Sequence, residues 1–561
     1  MEHTDQSGEY KMSFSKEKST VETTTIPVPN DLEKVNSILD YHHGEVKRGL
    51  SSRHLQFIAL CGSIGTGLFV GSGAPLVLCG PAPLLVSYLI VSIVVYFIMN
   101  FLSEMVCWIP LKGVHPAGWI TRYVDRSLGF ATGWIYWYSL AILVATENTA
   151  AGLVIEYWVS GDRVNIAVWM SIFWVIMVAV NFSAVQYYGE TEFICGVLKL
   201  SCIIGLIICG IVIFFGGAPT HDRLGFRYWN NPGSFALHLA SSNKNTSRFL
   251  DVWTAVIKSS FAFILAPELI ITSSGEVERP RSNIAKASSR FIWRLIVFYI
   301  CSIVVITVTV AYNDKNLVGA IAKGKSGAEA SPFVVGIQNA GIKALNHIVN
   351  AVILTSAISS GNSWLYASSR TLVGLAKEGN APKFFANVNR FGVPYYGVAA
   401  GAAMGLLAYL NCSNSSAVVF SWLSSIVTTG GFFGWICNGI AYLRWRKAVK
   451  VQELEHRVPL RTPFQPYGTW FAIIFVVICT LTNGYDVFIN WDTSSFFASY
   501  VTFLIFFLLY AGHKIWFKTS FLLKVEDIDI TTGLEEAERE EREEIKPTPG
   551  NPFEKFINWM F

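Results

Sequence analysis

The sequence contains few charged residues for its length. Of 561 residues, 15% are Asp, Glu, Lys or Arg, whereas about 25% is usual in a water-soluble protein, whose surface has to be hydrated. The formal net charge is only +4, so we predict no strong electrostatic attraction to nucleic acid. The shortage of charge argues against a large water-exposed surface.

The sequence also lacks the residue groupings that metal sites, disulfide frameworks and common hydrolases require. Most of its ten cysteines are scattered through apolar stretches, where thiols behave as small hydrophobic side chains. It has no cluster of His, Asp and Cys at metal-binding spacing and no Gly-x-Ser-x-Gly turn. We therefore predict that the protein is not an enzyme and uses no metal or other cofactor.

The two ends of the sequence are polar. Residues 1–50 are rich in Ser, Thr, Lys and Glu and lack the short apolar core of a signal peptide, so we predict a disordered N-terminal tail. Residues 518–561 form an acidic C-terminal tail, for which a solvated helix or coil is the simplest interpretation. Both tails are candidate contacts for ubiquitin-ligase adaptors, with lysines available at Lys11, Lys16 and Lys18.

Long hydrophobic runs fill the sequence between these tails, and the mean hydropathy is +0.42. A helix needs about 20 apolar residues to cross the hydrocarbon core of a membrane, and twelve segments within residues 51–517 are candidates. We predict an all-α integral membrane protein in contact with lipid. Its spans, numbered 1 to 12, are expected at residues 55–79, 83–109, 130–158, 164–185, 191–216, 252–275, 291–312, 345–369, 396–411, 417–442, 467–489 and 494–516.

The distribution of Lys and Arg predicts the orientation of these spans. If the N-terminus is cytoplasmic, the inner loops hold eighteen of these residues and the outer loops hold nine. Cytoplasmic loops carry the excess of positive charge. Both termini are therefore predicted to be cytoplasmic.

Glycine is concentrated in span 1. Residues 62–71 contain four glycines, with Ser63 and Thr66 among them. Glycine is unfavourable inside a helix, so this density predicts an unwound stretch within the membrane. Close packing of helices through small residues is the alternative, but it requires fewer of them.

Span 6 contains Pro267 followed by Glu268. Proline removes a backbone donor and disrupts the preceding turn, and a carboxylate at this depth favours a functional role for the break. Interrupted helices in spans 1 and 6, five apart, are typical of two inverted five-helix repeats. We therefore predict the 5+5 inverted-repeat fold with two further helices.

Broken helices within a membrane expose backbone groups that can bind a ligand. Amide groups of the first break can hold a carboxylate, and carbonyl groups of the second can hold an ammonium. A ligand with both groups is a zwitterion. This pair of sites predicts that the chain carries amino acids.

Among the ionisable residues within the predicted spans, five are candidates for a function at depth in the membrane: Glu104, Glu147, Lys199, Lys258 and Glu268. Each costs about 2.5–3.5 kcal/mol at the centre of a membrane helix and should face protein or water. The acidic candidates for proton coupling are Glu147 and Glu268, and Lys199 is a candidate for a fixed charge that exchanges a proton. A structural ion pair is the favoured interpretation for Lys258, whereas Glu104 is ambiguous.

Span 8 carries closely spaced polar residues, which either join helices or line a site. These residues are Ser356, Ser359, Ser360, Asn362 and Ser363.

In span 6, Phe261 and Phe263 would ordinarily be core residues. The functional alternative is that they form an apolar lid over the substrate.

Several motifs resemble those of fungal amino acid permeases of the amino acid–polyamine–organocation superfamily. They are the segment that begins at Gly62, Ser103-Glu-Met, Tyr366-Ala-Ser-Ser-Arg and Gly379-Asn-Ala-Pro-Lys. Within that superfamily the sequence looks most like proline permeases, through the segments that begin at Asn181, Phe261 and Asn283. The resemblance covers residues 45–535 approximately.

This resemblance implies a proton-coupled symporter of the plasma membrane that imports proline and other small neutral amino acids. It implies that the backbone of Ser63, Ile64, Gly65, Thr66 and Gly67 binds the carboxylate of the substrate. It also implies that carbonyl groups around Phe261, Ala262, Phe263 and Ile264 bind the amine. The same resemblance assigns proton coupling to Lys199, Glu147 and Glu268.

Two departures from the family pattern bear on the substrate specificity and on lipid modification of the C-terminus. The family commonly has glycine just before the break in span 6, where this chain has Ala266, and it commonly has a C-terminal aromatic-Cys pair, where this chain ends in Trp559-Met-Phe. A permease of broader range, a dicarboxylic amino acid permease and an amino acid receptor that does not transport remain alternatives.

Overall fold

Helices form nearly all of the regular structure. The computed structural model describes residues 65–110, 115–159, 163–183, 185–239, 243–272, 274, 279–322, 331–389, 391–412, 416–489 and 491–543. The predicted N-terminal tail and the first residues of span 1 lie outside the described residues.

The described residues contain twelve helical segments at the predicted places, and this confirms the fold class. Span 1 consists of Thr66–Phe69 and Gly73–Cys79, and span 6 consists of Lys244–Ser260, the 3-10 turn Phe261–Phe263 and Ala266–Thr272. Span 7 consists of Pro280–Arg294, the π-helical turns Leu295–Ile300 and Cys301–Thr309. The other spans are Pro81–Trp108, Arg126–Ile155, Ile166–Phe182, Val185–Phe215, Leu345–Lys377, Tyr395–Gly405 with the 3-10 turns Leu406–Cys412, Ser416–Val451, Tyr467–Thr482 and Thr493–Phe517.

Length and composition allow most of these segments to cross a membrane. In the described part of the chain, eight helices are long and apolar enough to do so, namely spans 2, 3, 5, 6, 7, 10, 11 and 12. Spans 1 and 4 are shorter apolar helices. Span 8 is long but contains many serines and asparagines, which neighbouring spans bury. The chain is therefore a multi-pass membrane protein.

Four spans extend at least eight residues beyond their predicted range at one end. Span 6 begins at Lys244 rather than at residue 252, span 7 begins at Pro280 rather than at 291, span 8 ends at Lys377 rather than at 369, and span 10 ends at Val451 rather than at 442. Lys and Arg occupy these additional turns, which therefore leave the hydrocarbon. Hydropathy locates the part of a helix that lies in lipid, not the point at which the helix ends.

Span 3 is the central helix of the bundle. It packs along spans 8 and 10, while span 2 packs along spans 6 and 7. The outward sides of spans 5 and 12 are apolar and exposed, as at Ile204, Ile208, Leu504 and Leu508. Buried polar side chains lie between the spans, and hydrocarbon side chains cover these outward sides.

Two of the five ionisable residues hold the bundle together. Glu104 accepts hydrogen bonds from the Tyr442 hydroxyl at 2.6 Å and from the Thr462 amide and hydroxyl at 2.7 and 2.6 Å. Arg446 lies 3.5 Å from the same carboxylate. These contacts join span 2 to span 10 and to the following loop, so Glu104 has a structural role. Lys258 is part-exposed and lies 3.8 Å from Asp486.

The C-terminal segment, residues 518–543, packs against the bundle through a few buried residues, while most of its residues are exposed. Ile528, Ile530 and Leu534 are buried, and the Trp108 indole donates a hydrogen bond to the Ile530 carbonyl at 2.8 Å. The segment ends in the C-terminal helix Leu534–Glu543. We call the end of the bundle that it contacts the tail face.

Candidate functional site

The break in span 6 is a short extended stretch between two helices. The 3-10 turn Phe261–Phe263 ends at Ile264, which has extended backbone angles, and Leu265 has a positive φ of 59°. A non-glycine residue in the left-handed region is strained by about 1–2 kcal/mol. Pro267 then lies in the first turn of Ala266–Thr272, where its missing N–H costs no hydrogen bond.

The break in span 1 is described from Gly65 onward. Gly65 has extended backbone angles and precedes the four-residue helix Thr66–Phe69, which is separated by a turn from Gly73–Cys79. The first amide groups of a helix have no acceptor within it. The described part of span 1 therefore presents amide groups beside Gly65 and Thr66. Ser63 and Ile64, also predicted to bind substrate, lie outside the described residues.

The two breaks are in direct contact. A Cβ atom placed on Gly67 would lie 2.7 Å from the Ala262 Cα atom and 3.1 Å from its Cβ atom. Since real Cβ atoms do not approach a backbone atom this closely, only glycine fits at residue 67. The structure thus places the amide-rich end of span 1 against the carbonyl-rich turn of span 6.

The side chains in the span 6 break point in different directions. Phe263 is buried and stacks on Tyr299 with ring centres 4.5 Å apart, next to Tyr88. Phe261 packs edge-on against Phe420 of span 10. The core interpretation therefore applies to Phe263, whereas its backbone remains part of the break. The Ala262 carbonyl accepts a hydrogen bond from the Tyr299 hydroxyl at 3.1 Å.

Glu147 of span 3 lies against the break in span 1. Its carboxylate accepts a hydrogen bond from the Thr66 hydroxyl at 2.9 Å. A Cβ atom on Gly65 would lie 3.0 Å from the other Glu147 oxygen and 3.2 Å from the Ser360 hydroxyl. A carboxylate thus borders the backbone that is expected to hold the substrate, with span 8 on its other side.

Lys199 of span 5 belongs to the same group. The residue is only 1% exposed, and its ammonium donates a hydrogen bond to the Ser360 hydroxyl at 3.4 Å. Its positive charge attracts the carboxylate of Glu147. Ser360 therefore contacts Lys199 and, like the Glu147 carboxylate, lies next to Gly65.

Glu268 lies in a second polar group beyond the break in span 6. The Tyr136 hydroxyl donates to one Glu268 oxygen at 3.0 Å, and the Asn438 amide donates to Tyr136 at 2.7 Å. The other Glu268 oxygen is buried and has no hydrogen-bond partner among the described residues. Trp435 lies near this carboxylate but outside hydrogen-bonding geometry. Glu268 therefore contacts spans 3 and 10 rather than Lys199.

Sequence reasoning missed Glu192, a fully buried carboxylate of span 5. It accepts hydrogen bonds from the Ser359 hydroxyl at 2.7 Å and from the Asn362 amide at 2.8 Å. The Asn181 amide in turn donates to Asn362 at 2.6 Å. The signal was available, because Glu192 precedes Lys199 by seven residues, which is two turns along one face of a helix.

The overall geometry is that of a carrier with interrupted helices, and comparison with known proteins identifies its family. Residues 54–525 match the family model described as amino acid permease. The chain belongs to the amino acid permease family. It is therefore a transporter of amino acids rather than an enzyme.

Two curated fungal permeases are similar over most of the chain. A proline-specific permease of Emericella nidulans is 52% identical over 92% of this chain and 94% of its own length. A proline-specific permease of Saccharomyces cerevisiae is 50% identical over 94% of this chain and 85% of its own length. These similarities confirm the resemblance to fungal proline permeases.

A solved structure supports the fold of the permease. The manganese transporter of Eremococcus coleocola has a TM-score of 0.52 and 12% sequence identity, over 92% of this chain and 98% of its own. At this identity the likeness concerns the fold alone.

Proposed function

We propose that this permease is a proton-coupled symporter of the plasma membrane that imports proline and other small neutral amino acids. The contact between the two helix breaks carries this proposal, because it places the backbone of Gly67 directly against the backbone of Ala262. The similarity to two proline-specific permeases supports proline as the main substrate. Both termini are cytoplasmic in this proposal.

The amide groups around Gly65–Gly67 would bind the substrate carboxylate, and carbonyl groups between Phe261 and Ile264 would bind the amine. The secondary ammonium of proline has two N–H donors, one fewer than other amino acids. Two carbonyl acceptors are therefore sufficient for proline. The backbone binds the part of the substrate that all amino acids share, so side-chain selection has to come from the surrounding surfaces.

Proton coupling would involve Glu147, which lies next to Gly65 in the break of span 1, and Lys199, whose partner Ser360 lies next to the same glycine. Lys199 supplies a fixed positive charge within the bundle, so the permease needs no metal cation for this purpose. A proton taken up by Glu147 would weaken its attraction to Lys199 and its acceptance of the Thr66 hydrogen bond. Protonation would thereby be linked to the backbone that binds the carboxylate. Glu268 would contribute from the second polar group.

Uptake of labelled proline into proteoliposomes under an imposed pH gradient tests this function. We expect the permease to accumulate proline when the outside is acidic and to lose accumulation when a protonophore removes the gradient. Lys199→Met should abolish accumulation of proline, because it removes the positive charge whose attraction to Glu147 weakens when Glu147 takes up a proton. Absence of accumulation by the unsubstituted protein, or full accumulation by the variant, would contradict proton coupling through Lys199.

Competition by unlabelled amino acids measures the substrate range in the same system. Small neutral amino acids should compete with proline, and dicarboxylic amino acids should not. A receptor that does not transport would bind proline without accumulating label.

A further inference from the structure

The buried carboxylate of Glu192 has no role in the function proposed above. It is 0% exposed and lies in span 5, two helical turns before Lys199. Those two turns correspond to about 10 Å along the helix axis. A carboxylate at this depth costs about 2.5–3.5 kcal/mol, so its presence calls for a reason beyond packing.

Span 8 connects Glu192 with the site of Lys199. Ser359 donates to Glu192 at 2.7 Å, while the adjacent Ser360 accepts from the Lys199 ammonium at 3.4 Å. Asn362 donates to the second Glu192 oxygen at 2.8 Å. Both oxygens of Glu192 are thus held by two residues of a helix that also contacts Lys199.

Span 8 links Lys199 to the surroundings of two carboxylates. Ser360 accepts from Lys199 and lies next to Gly65, as does the Glu147 carboxylate, while the adjacent Ser359 donates to Glu192. Glu147 contacts the break in span 1 through Thr66, whereas Glu192 lies toward the start of span 5. Lys199 therefore shares span 8 as a neighbour with both carboxylates.

Aromatic residues pack together one helical turn before Glu192 on span 5. Tyr188 donates a hydrogen bond to Ser363 at 3.4 Å and stacks on Tyr366 with ring centres 4.3 Å apart. The Arg370 guanidinium lies over Tyr366 at 4.0 Å. The titratable and charged groups around Glu192 are Tyr188, Cys195 and Lys199 on span 5 and Tyr366 and Arg370 on span 8.

We propose that Glu192 is a positioning residue that holds the Lys199 ammonium between two carboxylates and is required for coupling transport to protons, but not for binding the amino acid. This inference rests on the proposed proton symport. When Glu147 takes up a proton, Glu192 remains as the countercharge of Lys199, so the ammonium is not left unpaired inside the membrane. Lys199 can then change partners during each transport cycle while it stays buried.

Glu192→Gln tests this role, because the amide keeps a similar shape and removes the charge. Exchange of labelled for unlabelled proline at equal pH should stay within about twofold of the original rate. Accumulation driven by an acidic exterior should fall by about tenfold or more, a typical size of coupling between two sites. Both assays use the full chain purified into proteoliposomes, with labelled proline as the probe.

Glu190→Gln is the matched control. Glu190 lies two residues earlier on span 5 and is half-buried, on a different side of the helix from Glu192. The Glu190→Gln substitution should leave both the exchange and the accumulation of proline unchanged. Accumulation by Glu192→Gln at the original level would overturn the proposal, as would an equal loss of exchange and accumulation in folded protein. If the unsubstituted permease does not accumulate proline, the proposed symport itself fails.

If Glu192→Gln does not fold, the double variant Lys199→Met with Glu192→Gln decides the matter. Removing both charges should restore folded protein that exchanges proline but does not accumulate it. A double variant that remains unfolded would overturn the proposal, because the defect would then come from lost packing rather than from an unpaired lysine.

Discussion

Gly67 lies where the two interrupted spans touch. A Cβ atom at this residue would come within 2.7 Å of the Ala262 Cα atom, which leaves no room for a methyl group. The obstructing atom belongs to the backbone, so it cannot move aside by a change of rotamer. The glycine content of span 1 thus serves close approach of two backbones at this residue as well as unwinding.

Gly67→Ala should therefore lower proline uptake by about tenfold, because overpacking by one methyl group costs about 1–3 kcal/mol and separates the two breaks. Gly205→Ala is the matched control, since a Cβ atom on Gly205 of span 5 meets nothing within 4 Å. Initial uptake rates, normalised to the amount of protein at the cell surface, provide the measurement. Equal rates for the two variants would show that this contact is not needed for transport.

Several residues of the site were predictable, and others were not. Glu147 and Lys199 were identified as charges in apolar sequence, and the Glu147 carboxylate and the Ser360 partner of Lys199 both lie next to Gly65. The partners of Glu268 were not predictable, because Tyr136 and Asn438 come from spans 3 and 10, far away in the sequence. The positive φ of Leu265 was not predictable either, since composition does not specify which residue of a break is strained.

At the scale of helices, the breaks were easier to predict than the ends. Glycine and proline act on the backbone locally, so the interruptions of spans 1 and 6 were visible in the sequence. Helix ends that leave the lipid depend on contacts with other segments. The extra turns up to Lys377 and Val451 and the docking of residues 518–543 therefore needed the structure.

The C-terminal helix is joined to the tail face by ion pairs. Glu538 accepts two hydrogen bonds from Arg457 at 2.9 and 2.8 Å, and Glu541 pairs with Arg281 at 2.8 Å. The hydrogen bonds from Arg457 lower the pKa of Glu538 below its ordinary value of 4.5. The contribution of this pair to docking is therefore fully present above pH 4.5 and is lost as the pH falls through the lower folded-state pKa.

Glu538→Gln should increase hydrogen exchange of the backbone amides of residues 528–543 at neutral pH. The pair lies at the surface and is partly exposed, and such a pair is worth about 0–1 kcal/mol, so the exchange rate should rise by at most about fivefold. Glu543→Gln, at an exposed residue of the same helix, should exchange like the unsubstituted protein. The difference should vanish below the folded-state pKa of Glu538, and a difference that persists there would contradict the ion pair as its cause.

At the scale of the whole molecule, the apolar runs and the spacing of the breaks were enough to predict the fold. Lipid requires each span to satisfy its backbone internally, so hydropathy located nearly all the spans. The family match and the similarity to proline-specific permeases agree with the predicted transport of amino acids. The side-chain networks arise from packing between distant spans, which one sequence does not show.

The account depends on backbone groups of two broken helices that bind both ends of a zwitterion. Competition against labelled proline uptake by N-acetylproline, which lacks the ammonium, and by prolinamide, which lacks the carboxylate, tests this most directly. We predict that neither analogue competes, while unlabelled proline and small neutral amino acids do. Competition by either analogue with the potency of proline would contradict the account.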